Sequence, residues 1–174
     1  MNSRFIFLIF VMIAATSLVT LWLQDDISAI LFNVSEPYFK APVKPKNNHI
    51  KVRADDHGNG EYGSKRSGGR MHEGLDIFAP LGTPVLAAKS GLAFPGNVPT
   101  GYGLYVMIYH PDGSQTYYAH LSKITAKAGE KVRRGELIGY TGNTGNAKNN
   151  AIQPHLHFEI RKEGKTLDPK KYIR

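Results

Sequence analysis

From Ile50 to the C-terminus no stretch sustains the 3.6-residue apolar period of a helix over three turns. Short runs of strand formers recur instead between glycines and prolines. This confines the region to a mostly β domain, with antiparallel sheets joined by long glycine-rich loops. Leu104–Tyr109 is rich in strand formers, Pro111-Asp112-Gly113 supplies a turn, and Gln115–His120 returns, which predicts a hairpin. Pro84–Ala88, Leu137–Tyr140 and Leu156–Ile160 read as further short strands, and Gly91–Gly103 as a loop. A chain of 174 residues, 41% of them hydrophobic, has room for one such domain and one core.

The N-terminus has a different texture. Phe5–Leu23 is apolar apart from Thr16, Ser17 and Thr20, close to the ~20 residues a helix needs to cross a bilayer. Residues 1–24 are therefore expected to be a transmembrane helix. Arg4 precedes the run and Asp25 and Asp26 follow it, which favours a cytoplasmic N-terminus and a body moved across the membrane. A cleaved signal peptide is the alternative; the run is long for one, and no small-x-small site follows it. Residues 25–48, with prolines interleaved among lysines from Pro37 to Lys46, read as an extended tether, in which Ile27–Phe32 is at most a turn of helix. Residues 49–174 then form the domain, placed in the cell envelope outside the cytoplasm.

The chain has no cysteine, so disulfides, thiolate metal sites and cysteine nucleophiles are excluded. Any metal must be held by His, Asp or Glu. The formal charge of +8 suits polyanionic surroundings but names no partner.

Two short patterns carry the chemistry. His72-Glu73-Gly74-Leu75-Asp76 supplies a His-x-x-x-Asp element, and His155-Leu156-His157 a His-x-His element. Residues two apart on a strand share a face, so His155 and His157 point into one groove, roughly 6.6–6.8 Å apart along the backbone. A catalytic zinc ion takes three protein ligands and leaves a fourth position to water, so the four residues offer one ligand more than is needed. The first pattern imitates the helical His-Glu-x-x-His of many zinc proteases, but Gly68, Gly69 and Gly74 and the nearby Pro80 argue against a helix. A turn entering a strand at Asp76 is expected instead, and Glu73 need not be catalytic. His120 ends the second arm of the hairpin. A zinc hydrolase without the helical glutamate still needs proton transfer, and a neutral imidazole is suited to it. His49, His57 and His110 have no such partners and read as solvated.

Ser67 to Pro80, Gly82-Thr83-Pro84-Val85, Tyr118-Ala119-His120-Leu121, Gly139-x-Thr141-Gly142 and Pro154 to Glu159 together resemble the lysostaphin-type zinc metalloendopeptidases of bacterial cell walls, also called LytM-like. The resemblance covers roughly residues 50–170. It implies that His72, Asp76 and His157 bind zinc, and that His120 and His155 flank the metal-bound water as general base or transition-state stabilisers. It thereby selects one ligand from the paired histidines, a choice the spacing leaves open. It also implies a peptidoglycan endopeptidase that cuts amide bonds in stem peptides or cross-links, here with a lean towards direct cross-links. Tyr102, Tyr117 and the glycine loops are expected to line the peptide groove.

The alternative is a non-catalytic LytM-like regulator that activates another wall hydrolase, since some relatives have lost zinc ligands. A regulatory protein partner would fit either role. The intact ligand set favours the enzyme. Nucleic-acid binding explains the charge but not the histidines, and is not expected. A fourth ligand supplied from ahead of the domain would have to be Asn47, Asn48 or His49.

Overall fold

The computed structural model describes residues 3–44, 49–149 and 151–174. They fall into two compact units, Met1–Pro37 and Tyr38–Arg174.

The first unit is one helix, α1 (Ser3–Ser35). It ends just ahead of Glu36 and Pro37, because the residue before a proline is pushed out of helical φ/ψ. The hydroxyls of Thr16, Ser17 and Thr20 donate back to the carbonyls of Met12, Ile13 and Thr16, so these three side chains are satisfied within the helix. Among the described residues no helix is long and apolar enough to cross a membrane, and the expected transmembrane span over 1–24 is not found there. Met1, Asn2 and the side chains of Phe5, Ile9, Leu21 and Trp22 lie outside the described residues.

The expected tether over 25–48 is also corrected. Residues 25–35 continue α1, and Phe39 and Val43 are buried in the core of the second unit. Phe39 bridges in parallel to Ile173, and its amide donates to the Tyr172 carbonyl. The apolar side chains at Phe39 and Val43 outweigh the local proline signal because both find core neighbours. Residues 45–48 are outside the described residues.

The second unit is mostly β, as the punctuated strand pattern predicts. A small hairpin, β1 (Ala54–Asp55) with β2 (Gly58–Asn59), precedes the main sheet. The sheet comprises β3 (Leu75–Phe78), β4 (Pro84–Leu86), β5 (Gly91–Val98), β6 (Gly103–Tyr109), β7 (Gln115–Ile124), β8 (Glu130–Val132), β9 (Leu137–Thr141), β10 (His155–Lys162) and β11 (Lys165–Leu167). Its order is β11-β10-β7-β6-β5-β8, with β3 on β10 and β4 joined through β9 to β7; all these pairings are antiparallel. Leu75, Ile77, Ile108, Tyr118, Leu121, Ile138, Leu156, Phe158 and Ile160 fill the core with essentially no exposed surface.

Gly91–Gly103 differs from the loop that its glycines suggested, since β5 occupies Gly91–Val98. Pro95 is tolerated because β8 covers β5 only over Gly91–Ala93, leaving the edge beside the proline unpaired. The predicted hairpin is β6–β7, but β7 runs past His120 to Ile124. Leu104 pairs Leu121 and Val106 pairs Tyr118, so β7 carries one residue more than β6 over this stretch, a β-bulge. His120 sits in it with φ +62°. A non-glycine residue held there costs about 1–3 kcal/mol, a strain met at sites where a side chain must be re-aimed.

Candidate metal centre and cleft

β10 is the strand on which the site is built. Leu156, Phe158 and Ile160 face the core, so by alternation His155, His157, Glu159 and Arg161 share the opposite face. β3 pairs with β10 with Asp76 directly opposite His157, and β7 flanks the other side with Ala119 opposite His157. His72 lies just before β3 in an extended turn, held by Gly63 N–H to its carbonyl and by its own N–H to the Ser64 carbonyl. No helix forms over 72–76, as the glycines predict.

Gly74 is required by proximity. A Cβ there would lie 2.7 Å from His157 Cε1 and 2.7 Å from the Phe158 carbonyl oxygen. Only glycine lets the turn carrying His72 pass this close to β10.

Three donor atoms converge. His72 Nε2 lies 3.0 Å from Asp76 Oδ1 and 3.0 Å from His157 Nδ1, and His157 Nδ1 lies 2.8 Å from Asp76 Oδ1. The far side of each ring fixes its proton. His72 Nδ1 is 2.9 Å from the Glu61 carbonyl, and His157 Nε2 is 2.9 Å from the Glu159 carboxylate. Both partners only accept, so those nitrogens carry the hydrogen, and the two facing nitrogens offer lone pairs when a metal ion rather than a proton lies between them and Asp76. Two lone pairs and a carboxylate oxygen at such separations repel one another unless a cation lies among them. Two imidazole nitrogens and one carboxylate oxygen suit zinc, so the residues present fit that ion.

With no metal between these atoms, a proton is drawn to the same place. Burial opposes charge on His157, yet hydrogen bonds to Asp76 and Glu159 lift its pKa to about 9. Burial likewise works against an ionised Asp76, but hydrogen bonds from His157 and His72 hold its carboxyl well below the usual range. The other oxygen of Asp76, Oδ2, accepts from Arg53 Nη2 at 3.2 Å and Arg66 Nη2 at 2.8 Å, which leaves Oδ1 directed at the histidines.

His120 and His155 stand beside this triangle. The His120 ring centroid is 5.1 Å from that of His155 and 5.7 Å from that of His157. His155 Nε2 is 3.9 Å from Asp76 Oδ1. His155 Nδ1 donates to the Gln153 carbonyl at 2.7 Å and His120 Nδ1 to the Thr144 carbonyl at 2.9 Å, so both Nε2 atoms are lone pairs. Burial, with help from the neighbouring imidazoles, pushes the His120 pKa down to about 3, and burial lowers that of His155.

All five residues singled out by sequence thus meet in one cleft of about 990 Å³. Asn47 and Asn48 lie outside the described residues, and His49 is exposed. Of the two groove tyrosines, Tyr102 lines the cleft, whereas Tyr117 is not among its described lining residues. Tyr117 packs 5.7 Å from Tyr102 and beneath the Arg161 guanidinium at 4.8 Å. Tyr102 is itself engaged, donating to Glu159 Oε1 at 2.7 Å and accepting from Arg161 Nη2 at 2.8 Å.

Sequence reasoning missed Arg53, Asp55, Arg66 and the supporting role of Glu159. Strand alternation from His157 signals Glu159. Nothing local signals Arg53 and Asp55. Arg53 Nη1 meets Asp55 Oδ1 at 2.6 Å, and Asp55 Oδ2 accepts the Gln153 N–H at 2.9 Å. This chain joins the Asp76 carboxylate to the loop that orients His155.

The sequence and fold have relatives. The profile of peptidase family M23 matches residues 70–169, more than half of the chain. The DD-carboxypeptidase/endopeptidase Mpg of Neisseria meningitidis serogroup B is 46% identical over 101 residues, 58% of this chain and 22% of that protein. The matched part therefore spans about a fifth of that relative's length. The catalytic domain of the antimicrobial peptidase lysostaphin from Staphylococcus simulans superposes with a TM-score of 0.59 at 34% identity, covering 72% of this chain and 92% of that one. A zinc-containing peptidase from Vibrio cholerae gives a TM-score of 0.62 at 29% identity, covering 76% and 39%.

Proposed function

Because the chain belongs to peptidase family M23, we propose that it is a zinc-dependent endopeptidase that hydrolyses amide bonds in the peptide part of peptidoglycan. The observation that carries this reading is the convergence of His72 Nε2, Asp76 Oδ1 and His157 Nδ1 beside two further imidazoles whose Nε2 atoms are free to accept a proton.

His72, Asp76 and His157 hold the ion. When bound, zinc supplies a Lewis acid and lowers the pKa of water at its open position. The protein supplies the rest. His155 and His120, kept neutral by burial, take and return protons at Nε2, each locked in the required tautomer by its Nδ1–H bond to a carbonyl. The bulge at His120 turns its ring to the cleft, where the Thr144 carbonyl holds it. Glu159 and the Glu61 carbonyl orient the two ligand rings, and Arg53 and Arg66 orient the carboxylate.

The cell envelope, where peptidoglycan lies, is the proposed location. The positive charge favours an acidic wall.

The test incubates the full chain with intact peptidoglycan, with and without a zinc chelator, beside a His157→Ala control, and identifies released fragments by mass spectrometry. Chelator-sensitive, His157-dependent fragments are expected, and their masses name the bond cut. Zinc binding without release would overturn the enzyme and leave the regulator.

A further inference from the structure

Among the described residues, the arginines and carboxylates that line the cleft are paired, with one exception. Arg53 pairs with Asp55 and Asp76, Arg66 with Asp76, Glu73 with Arg161, and Glu159 with His157 and Arg161. Arg70 also lines the cleft, is exposed, and has no hydrogen bond or ion pair on its guanidinium among the described residues.

Its placement comes from the loop that leads to His72. Lys65 and Met71 bridge in antiparallel fashion, and Arg66 N–H donates to the Arg70 carbonyl at 2.8 Å. Gly68 and Gly69, at φ +77° and +76°, turn the chain between them. This is a tight hairpin with one arginine on each arm. Arg66 reaches in to Asp76, which leaves Arg70, two residues before His72, as the cation presented to whatever enters the cleft. A guanidinium suits a planar carboxylate, which it can bind with two parallel N–H bonds.

We propose that Arg70 is a specificity-determining residue that reads a free carboxylate on the peptide residue adjoining the scissile amide. The inference rests on the peptidase reading of the site and adds the substrate class to it: peptides with a free acid at that residue, in preference to those in which it is amidated.

The test uses the zinc-loaded full chain and two muropeptide dimers that differ only in whether the diamino acid at the cross-link carries a carboxylate or a carboxamide. Binding is followed by NMR titration and cleavage by chromatography. The wild type is expected to favour the acid form by roughly tenfold or more, the scale of one charge-assisted hydrogen bond. Arg70→Gln lowers binding and cleavage of the acid form more than of the amide form, so that the preference is lost, while Arg70→Lys keeps part of it. Unchanged zinc content and circular dichroism show that the variants are folded. No preference in the wild type, or one that persists in Arg70→Gln, overturns the inference. Cleavage without preference leaves the peptidase standing and removes the role of Arg70. Arg70-dependent binding of the acid form without cleavage does the reverse.

Discussion

Asp76 lies opposite His157 across the β3–β10 ladder, with Oδ1 2.8 Å from Nδ1, although 81 positions separate the two in sequence. The ladder register makes them neighbours, and the partners on their far sides decide which atoms face each other. His157 is held by Glu159, and Asp76 by Arg53 and Arg66.

Glu159→Gln leaves an acceptor beside His157 Nε2 but removes its charge and one of the two carboxylates paired with Arg161. Zinc affinity is expected to fall about 10–100-fold. Competition with a chromogenic chelator measures it, and an unchanged affinity would show that Glu159 does not hold the ring.

Gly74→Ala places a methyl group 2.7 Å from His157 Cε1, with backbone on its other side. Something must shift, and of the two atoms met at 2.7 Å the side-chain ring moves more readily than the backbone oxygen of Phe158 in its sheet. A displacement of about 1 Å at such a site costs on the order of 10²-fold in rate. Hydrolysis and zinc content are expected to fall together while far-UV circular dichroism stays native.

Asp55→Asn weakens the bonds from Arg53 Nη1, His57 N–H and Gln153 N–H at once. A loss of about 1–3 kcal/mol in stability follows, the range for a buried charged hydrogen-bonding group. Urea unfolding measures it. Because Gln153 also carries the carbonyl that orients His155, the hydrolysis rate should fall more than in a variant of equal stability elsewhere.

Lys89 and Asp112 form a buried ion pair at 2.8 Å, away from the cleft. Burial alone would raise the Asp112 pKa, but the bonds from Lys89 and Ser114 bring it below the ordinary 3.8. A depressed folded pKa stabilises the protein fully above the unfolded value and less as the pH falls through the folded one. The stability difference between wild type and Asp112→Asn is therefore expected to be constant above about pH 5 and to close below pH 3.8. Thermal unfolding across pH 2–7, with ~2 as the lower limit of the scan, checks this; a gap that persists at the acid end would contradict it.

Much of the site was legible because local rules govern it. Strand alternation put His155 and His157 on one face, and glycines at 68, 69 and 74 ruled out a helix through His72. The residues around the ligands were less legible. Arg53 and Asp55 reach Asp76 and Gln153 across 23 and 98 positions, contacts that no periodicity records. The tether reading failed for a related reason. Lysines and prolines around Phe39 and Val43 mimic an open linker, while the core that buries these two side chains is assembled from distant strands.

The sequence by itself determined the strand-rich character of residues 50–174 and the five chemical groups that could hold an ion and move a proton. Those follow from side-chain period, turn chemistry and residue type, all of them local. Tertiary structure decided which atom of each group faces the others. The tautomers of His72, His120, His155 and His157 are set by carbonyls and a carboxylate on other segments or turns, and the aim of His120 by a bulge against β6. Register and bulge placement are properties of paired strands, so they exist only once the sheet has formed.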